Sequence, residues 1–182
     1  ASNYAYQWAL SKNPQYPDFS ANTLQGGDCT NFVSQALHTG GWQYTASRDD
    51  KSTNTWYVAW NNAKRAFTNS QTWSTAAGFY RRIINDKYEK SVLPTSDLYS
   101  LRPGDIAFLT SGGKSHHTMI VTGYQEKPWW NPFASYGPLV SYHNGGVNPN
   151  TNMPNLPQQN ILLTEVIALS PNDTPVFAKV RS

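Results

Sequence analysis

Apolar positions at the start of the chain recur at helical spacing. Tyr4, Ala5, Trp8, Ala9 and Leu10 predict a helix over 3–12. It ends before Asn13-Pro14, where the residue preceding proline disfavours helix. Residues 13–27, with Pro14, Pro17 and Gly26-Gly27, read as a loop. A second helix follows. Phe32, Val33, Ala36 and Leu37 lie three, four, seven and eight positions beyond Cys29 and share its side, and Gly40-Gly41 ends the run. Residues 42–72 give no clear period. Ser74 caps a helical pattern over 74–85 built on Ala77, Phe79, Tyr80, Ile83 and Ile84. From residue 98 the pattern changes to strands: 106–109, 116–124 and 139–143, then 161–169 and 176–180. Pro103-Gly104-Asp105 turns into the first of these, Ser111-Gly112-Gly113 makes a hairpin loop, and Asn144-Gly145-Gly146 ends the third. Residues 146–160, rich in Asn and Pro, read as a surface loop. Helices first and strands last predict an α+β fold, with N-terminal helices packed on a C-terminal antiparallel sheet of about five strands. There is no repeat and no composition break, so 1–182 reads as a single domain.

Composition sharpens this picture. Hydrophobic content is 38%, but aromatics reach 14%, so large rings must supply much of the core. Charged residues are only 14%, which leaves a neutral polar surface suited to peptide or carbohydrate contact and to an extracellular setting. The net charge of +3 is scattered. The pairs Lys64-Arg65 and Arg81-Arg82 are too short for a nucleic-acid footprint, so no nucleic-acid partner is expected. A mild positive charge favours approach to an anionic polymer. No apolar run is long enough to predict a membrane span, and no signal peptide is visible. A single cysteine excludes an internal disulfide and a cysteine-based zinc site.

That cysteine is the leading chemical feature. Asp28 is placed to cap the second helix, which puts Cys29 in its first turn, where the helix dipole and unpaired N–H groups favour a thiolate. A cysteine nucleophile needs a base. His38 lies on the same helix about 13 Å away, too far to serve. His116 and His117 are strand neighbours and point to opposite faces, which also disfavours a metal site shared between them. The His117 face carries Met119 and Val121 and is the more apolar, so it is expected to meet the Cys29 helix, making His117 the base. His143 or Asn144, at the end of the next strand, is placed to orient the base; the pleat does not choose between them. Trp56, Trp73, Trp129 and Trp130 are candidate walls of a substrate groove.

Four segments together resemble a known family: Gly26–Gln35 (GGDCTNFVSQ), Pro103–Phe108 (PGDIAF), His117–Thr122 (HTMIVT) and Val140–Asn144 (VSYHN). They are similar to the putative amidase domain of bacterial proteins, a branch of the papain-like cysteine peptidases and amidases related to the NlpC-type and CHAP cell-wall hydrolases. The resemblance implies a papain-like fold, Cys29 as nucleophile, His117 as base and His143 as the third member. It implies amide-bond hydrolysis through a thioacyl-enzyme, with peptidoglycan or a peptide-like molecule as substrate and no metal or organic cofactor. Gln25, four residues before Cys29, is a candidate oxyanion donor, and Asp28 and Asn144 are candidate supports. A secreted or wall-associated monomer is expected. Two other readings fit the same residues: a cysteine acyltransferase using the same triad, and a non-catalytic wall-binding module.

Overall fold

The computed structural model describes residues 1–20, 27–143 and 156–181. Eight strands and five α-helices follow one another along the described chain: α1 (Ser2–Trp8), α2 (Cys29–Thr39), β1 (Val58–Asn61), β2 (Ala66–Asn69), α3 (Gln71–Ser74), α4 (Ala76–Tyr80), β3 (Val92–Thr95), β4 (Ile106–Ser111), β5 (Lys114–Gln125), β6 (Gly137–Tyr142), β7 (Gln158–Leu162), α5 (Leu163–Ala168) and β8 (Thr174–Val180). β1 and β2 form a separate hairpin. The other six strands make one antiparallel sheet in the order β3-β8-β4-β5-β6-β7. The α+β class holds, with helices leading and a six-stranded sheet following.

Two expectations are corrected, and three strands were not foreseen. The predicted helix over 74–85 is broken: Thr75 is extended (φ −115°, ψ 136°) and caps α4 by accepting from the Gly78 N–H, and a π-turn over Arg81–Asn85 completes the segment. The predicted strand over 161–169 is β7 followed by α5, and Leu163 and Val166 on α5 are buried. Strands β1, β2 and β3 carry no clean alternation of buried and exposed positions, which is why periodicity did not reveal them.

The sheet is covered on both faces. On one, Ile106, Phe108, Ile120 and Ala178 pack with Phe32, Val33, Ala36 and Leu37 of α2, with Ala5 of α1 and with Phe79 of α4. On the other, Ala107, Leu109, Met119, Val121, Val140 and Phe177 pack with Leu101 and with Leu163 and Val166 of α5. Helix α2 is buried all round, from Cys29 to Leu37. Its polar side is satisfied residue by residue. Gln35 Oε1 accepts from the Tyr4 hydroxyl (2.6 Å), Ser34 Oγ donates to the Trp73 carbonyl (2.9 Å) and accepts from Trp56 Nε1 (3.2 Å), and Asn31 Oδ1 accepts from Trp73 Nε1 (2.7 Å). Trp56 and Trp73 are therefore core residues that brace α2; both are fully buried, and neither walls a groove.

Candidate active site

The helix α2 starts at Cys29, as predicted. Gly27 takes φ +77°, a left-handed conformation that favours glycine, and Asp28 (φ −103°, ψ 0°) leads into the first turn. Asp28 makes no side-chain capping bond. Its carboxylate instead gathers three donors: Oδ1 accepts from the Phe19 N–H (3.0 Å) and from Asn31 Nδ2 (2.7 Å), and Oδ2 accepts from His143 Nδ1 (2.7 Å). With the Trp73–Asn31 bond this forms a buried chain, Trp73–Asn31–Asp28–His143, in which the three linking bonds are each 2.7 Å. His143 Nε2 bonds the Trp8 carbonyl at the end of α1 (2.8 Å), and its ring stacks on Phe32 with centroids 4.1 Å apart. A small cleft of about 140 Å³ opens over Asp28 and His143, with Leu10, Lys12, Ser20 and Pro157 on its walls.

This placement corrects the role predicted for His143. Both its ring nitrogens are engaged, by Asp28 and by the Trp8 carbonyl, so neither is left to orient His117. The two histidines also leave the sheet on opposite sides. His143 lies with Phe32 on the α2 side, whereas His117 meets the edge of Tyr142 (4.6 Å between centroids, 90°), which packs with the α5-side cluster.

The expectation that the His117 face meets α2 is likewise overturned. The Thr118 hydroxyl lies 3.0 Å from that of Thr30, and Ile120 packs on Phe32 and Val33, so the Thr118/Ile120 face is the one against α2. His117 shares its face with Met119 and Val121, under α5. The physical reason is that both faces are buried, so relative apolarity does not identify the face beneath α2. His116 is the extra residue of a bulge: Leu109 pairs with His117 and Thr110 with Ser115. It is half-exposed and pairs with Asp173 (2.9 Å).

The thiol nevertheless bonds β5 one residue from His117. The Val121 N–H donates to the Asp105 carbonyl on the β4 side, so by alternation the Thr118 N–H points the other way, toward β6. Pairing of β5 with β6 begins only at Ile120–Ser141. The Cys29 sulfur receives the Thr118 N–H and lies 3.7 Å from the Thr30 hydroxyl. The cysteine is thus bonded to the residue next to His117. Among the described residues, Nδ1 of His117 has no hydrogen-bond partner although it is buried. A buried polar atom without a partner calls for a functional or structural account.

The electrostatics reverse one further expectation. Burial pushes the Cys29 thiol above its ordinary value, a rise only partly opposed by the Thr118 and Thr30 hydrogen bonds and reinforced by Asp28. Burial, with a smaller contribution from His116, pushes His117 down to about 3. Both shifts favour the neutral forms, a thiol and an imidazole, over a thiolate and an imidazolium. The helix terminus is present, but desolvation outweighs it.

The other candidates are easily placed. Gln25 and Asn144 lie outside the described residues. Trp129 and Trp130 are exposed, at 94% and 69%, in the β5–β6 loop, and neither lines the cleft over Asp28 and His143. Asp105 is a turn residue whose carboxylate receives the Arg102 and Val180 N–H groups. No group of His, Cys, Asp and Glu among the described residues is arranged to hold a metal ion. What sequence reasoning missed is the hub role of Asp28; its position beside Cys29 was the available signal, but a carboxylate there reads first as a helix cap.

Among known proteins, the chain is similar to the uncharacterized protein YhbB of Bacillus subtilis (strain 168), 28% identical over 123 residues. That match covers 66% of this chain and 35% of YhbB, so the chain spans about a third of that relative's length. No solved structure matches. The putative amidase domain matches residues 1–155, a span that holds Asp28, Cys29, His117 and His143. The chain belongs to the putative amidase domain family.

Proposed function

We propose that the chain is a cysteine amide hydrolase of papain-like type in which Cys29 is the nucleophile and His117 the base. The observation that carries this reading is the juxtaposition on β5: the residue after His117 binds the Cys29 thiol through its N–H, while Nδ1 of His117 is buried without a partner. Since both groups rest neutral, the mechanism is general-base catalysis. As the thiol sulfur attacks the amide carbon, its proton passes to Nδ1 of His117. The carbonyl oxygen becomes an oxyanion held by the Cys29 backbone N–H in the first turn of α2. Collapse of the tetrahedral species expels the amine, which takes the proton from His117, and leaves a thioester. Water then attacks the thioester, giving a proton to His117, and the acid departs as that proton returns to sulfur.

His143 belongs to this reading as a positioning residue. Bonded to Asp28, it fixes the carboxylate one residue before the nucleophile and ties α1 to the start of α2. The proposed substrate is a peptidoglycan amide, in a stem peptide or cross-bridge or at the muramic acid link, and the proposed setting is secreted or wall-associated. Supporting this are the neutral polar surface, the net charge of +3 and the family match. Among the described residues, no helix is long and apolar enough to cross a membrane.

The test is digestion of purified peptidoglycan with mass spectrometry of the released fragments, comparing the protein with Cys29→Ala and His117→Ala. The expected result is new amino termini from the unaltered protein and none from either variant. Full hydrolysis by Cys29→Ala would overturn the proposal. Because His117 sits far below its ordinary value and Cys29 above its own, kcat/KM should show no inflection near 6.5.

A further inference from the structure

The β1–β2 hairpin carries a second, larger cleft that the hydrolase reading leaves unused. It measures about 680 Å³ and lies along the hairpin and the loop before it. Three features set its chemistry. Trp60 stands 54% exposed, its ring held edge-on to Phe67, its cross-strand partner (5.2 Å between centroids, 80°). Two cations, Arg48 and Lys64, line the cleft, and neither forms an ion pair among the described residues. The Arg48 guanidinium is already positioned: it lies over the Tyr57 ring at 4.8 Å and donates from Nη1 to the Thr45 carbonyl (3.1 Å). The lining is completed by neutral polar groups, Asn61, Thr68 and Asn69, and by one carboxylate, Asp50.

We infer that this cleft binds an anionic saccharide. An exposed indole offers an apolar platform for the C–H face of a sugar ring. Asn61 Nδ2 donates to ring hydroxyls, and the Asp50 carboxylate, Asn69 Oδ1 and the Thr68 oxygen accept from them; the Asn69 amide hydrogens and the Thr68 hydroxyl hydrogen are engaged by Ser70, Ser74 and Ala59. Two cations with no ion pair among the described residues suit an acidic substituent on the sugar, with the pre-positioned guanidinium able to bind it in a forked geometry. Asp50 and Trp60 separate this ligand from an acidic peptide, since Asp50 accepts hydrogen bonds from ring hydroxyls and the indole stacks on a sugar face, and poly-glutamate has neither. The cleft is distinct from the one over Asp28 and His143, and the inference does not depend on the hydrolase reading.

The experiment measures binding of oligogalacturonate, neutral chito-oligosaccharide and poly-glutamate by calorimetry, for the unaltered protein and for Trp60→Ala and Arg48→Gln, with circular dichroism as the check on folding. Oligogalacturonate should bind, weakening with salt, and should bind at least about tenfold more tightly than either other probe. Trp60→Ala and Arg48→Gln should each weaken it by about tenfold or more while leaving the spectrum unchanged. No binding of oligogalacturonate, poly-glutamate binding as tight, or binding unaffected by folded Trp60→Ala and Arg48→Gln would each overturn the inference. Because the readout is binding, its failure is distinct from loss of amide hydrolysis.

Discussion

Burial of His117 fixes how the protein should respond to acid. In the unfolded chain its imidazole titrates near 6.5; in the folded protein burial and His116 hold it down to about 3. Below 6.5 the unfolded chain therefore takes up a proton that the folded protein refuses, and stability falls as pH falls, down to the folded value. The slope approaches about 1.4 kcal/mol per pH unit, so the descent from 6.5 to about pH 5 costs about 2 kcal/mol. That is a sizeable part of a typical folding free energy of about 5–15 kcal/mol. The window isolates the histidine from Asp18, pushed down to about 2 chiefly through its bonds with Lys12 and Ser20, whose stabilisation is lost only below its ordinary 3.8. His117→Gln removes the titration and keeps a polar side chain of similar reach. Urea unfolding of both proteins at about pH 7 and about pH 5 should then show a loss larger by about 2 kcal/mol in the unaltered protein. The other histidines are common to both and cancel. Equal losses, within about 0.5 kcal/mol, would refute a buried neutral His117 and with it the general-base mechanism.

Three further outcomes follow from the same geometry. Iodoacetamide should alkylate Cys29 more slowly than a free thiol near neutral pH, because the thiol is buried and pushed above 9.0, and urea should restore the ordinary rate; rapid native labelling would contradict the neutral resting pair. Asp28→Asn should destabilise by about 3 kcal/mol, measured by urea unfolding, since one amide oxygen cannot receive the Phe19, Asn31 and His143 donors that two carboxylate oxygens receive. Trp73→Phe should cost about 1–3 kcal/mol by the same measurement, because it leaves Asn31 Oδ1 buried without its donor.

Much of the fold was legible because its elements repeat a period. Helix α2 and the strands β4, β5, β6 and β8 follow from the spacing of apolar residues and the glycine turns between them. The hairpin β1–β2 was not, because its residues are mostly half-buried, leaving no contrast between alternate positions. The segment 161–169 was misread because a strand and a short buried helix both appear as an apolar run, and nothing local marks the change at Leu163.

The site divides along the same line. The position of Cys29 was readable, since glycine, aspartate and a helical period specify a helix start locally. The protonation state of Cys29 was not, because it depends on how many neighbours bury the thiol, and those come from β5 and α2 together. The choice of face for His117 failed for a related reason. Counting apolar residues assumes one wet face and one dry face, whereas α5, unseen in the sequence, dries the second. The displacement of His143 from His117 to Asp28 has the same origin: with each histidine on its own side of the sheet, the partner available to His143 is the carboxylate at the head of α2. A helix start that was read as a means of charging the thiol thus acts through Asp28 on His143, while burial keeps the thiol itself neutral.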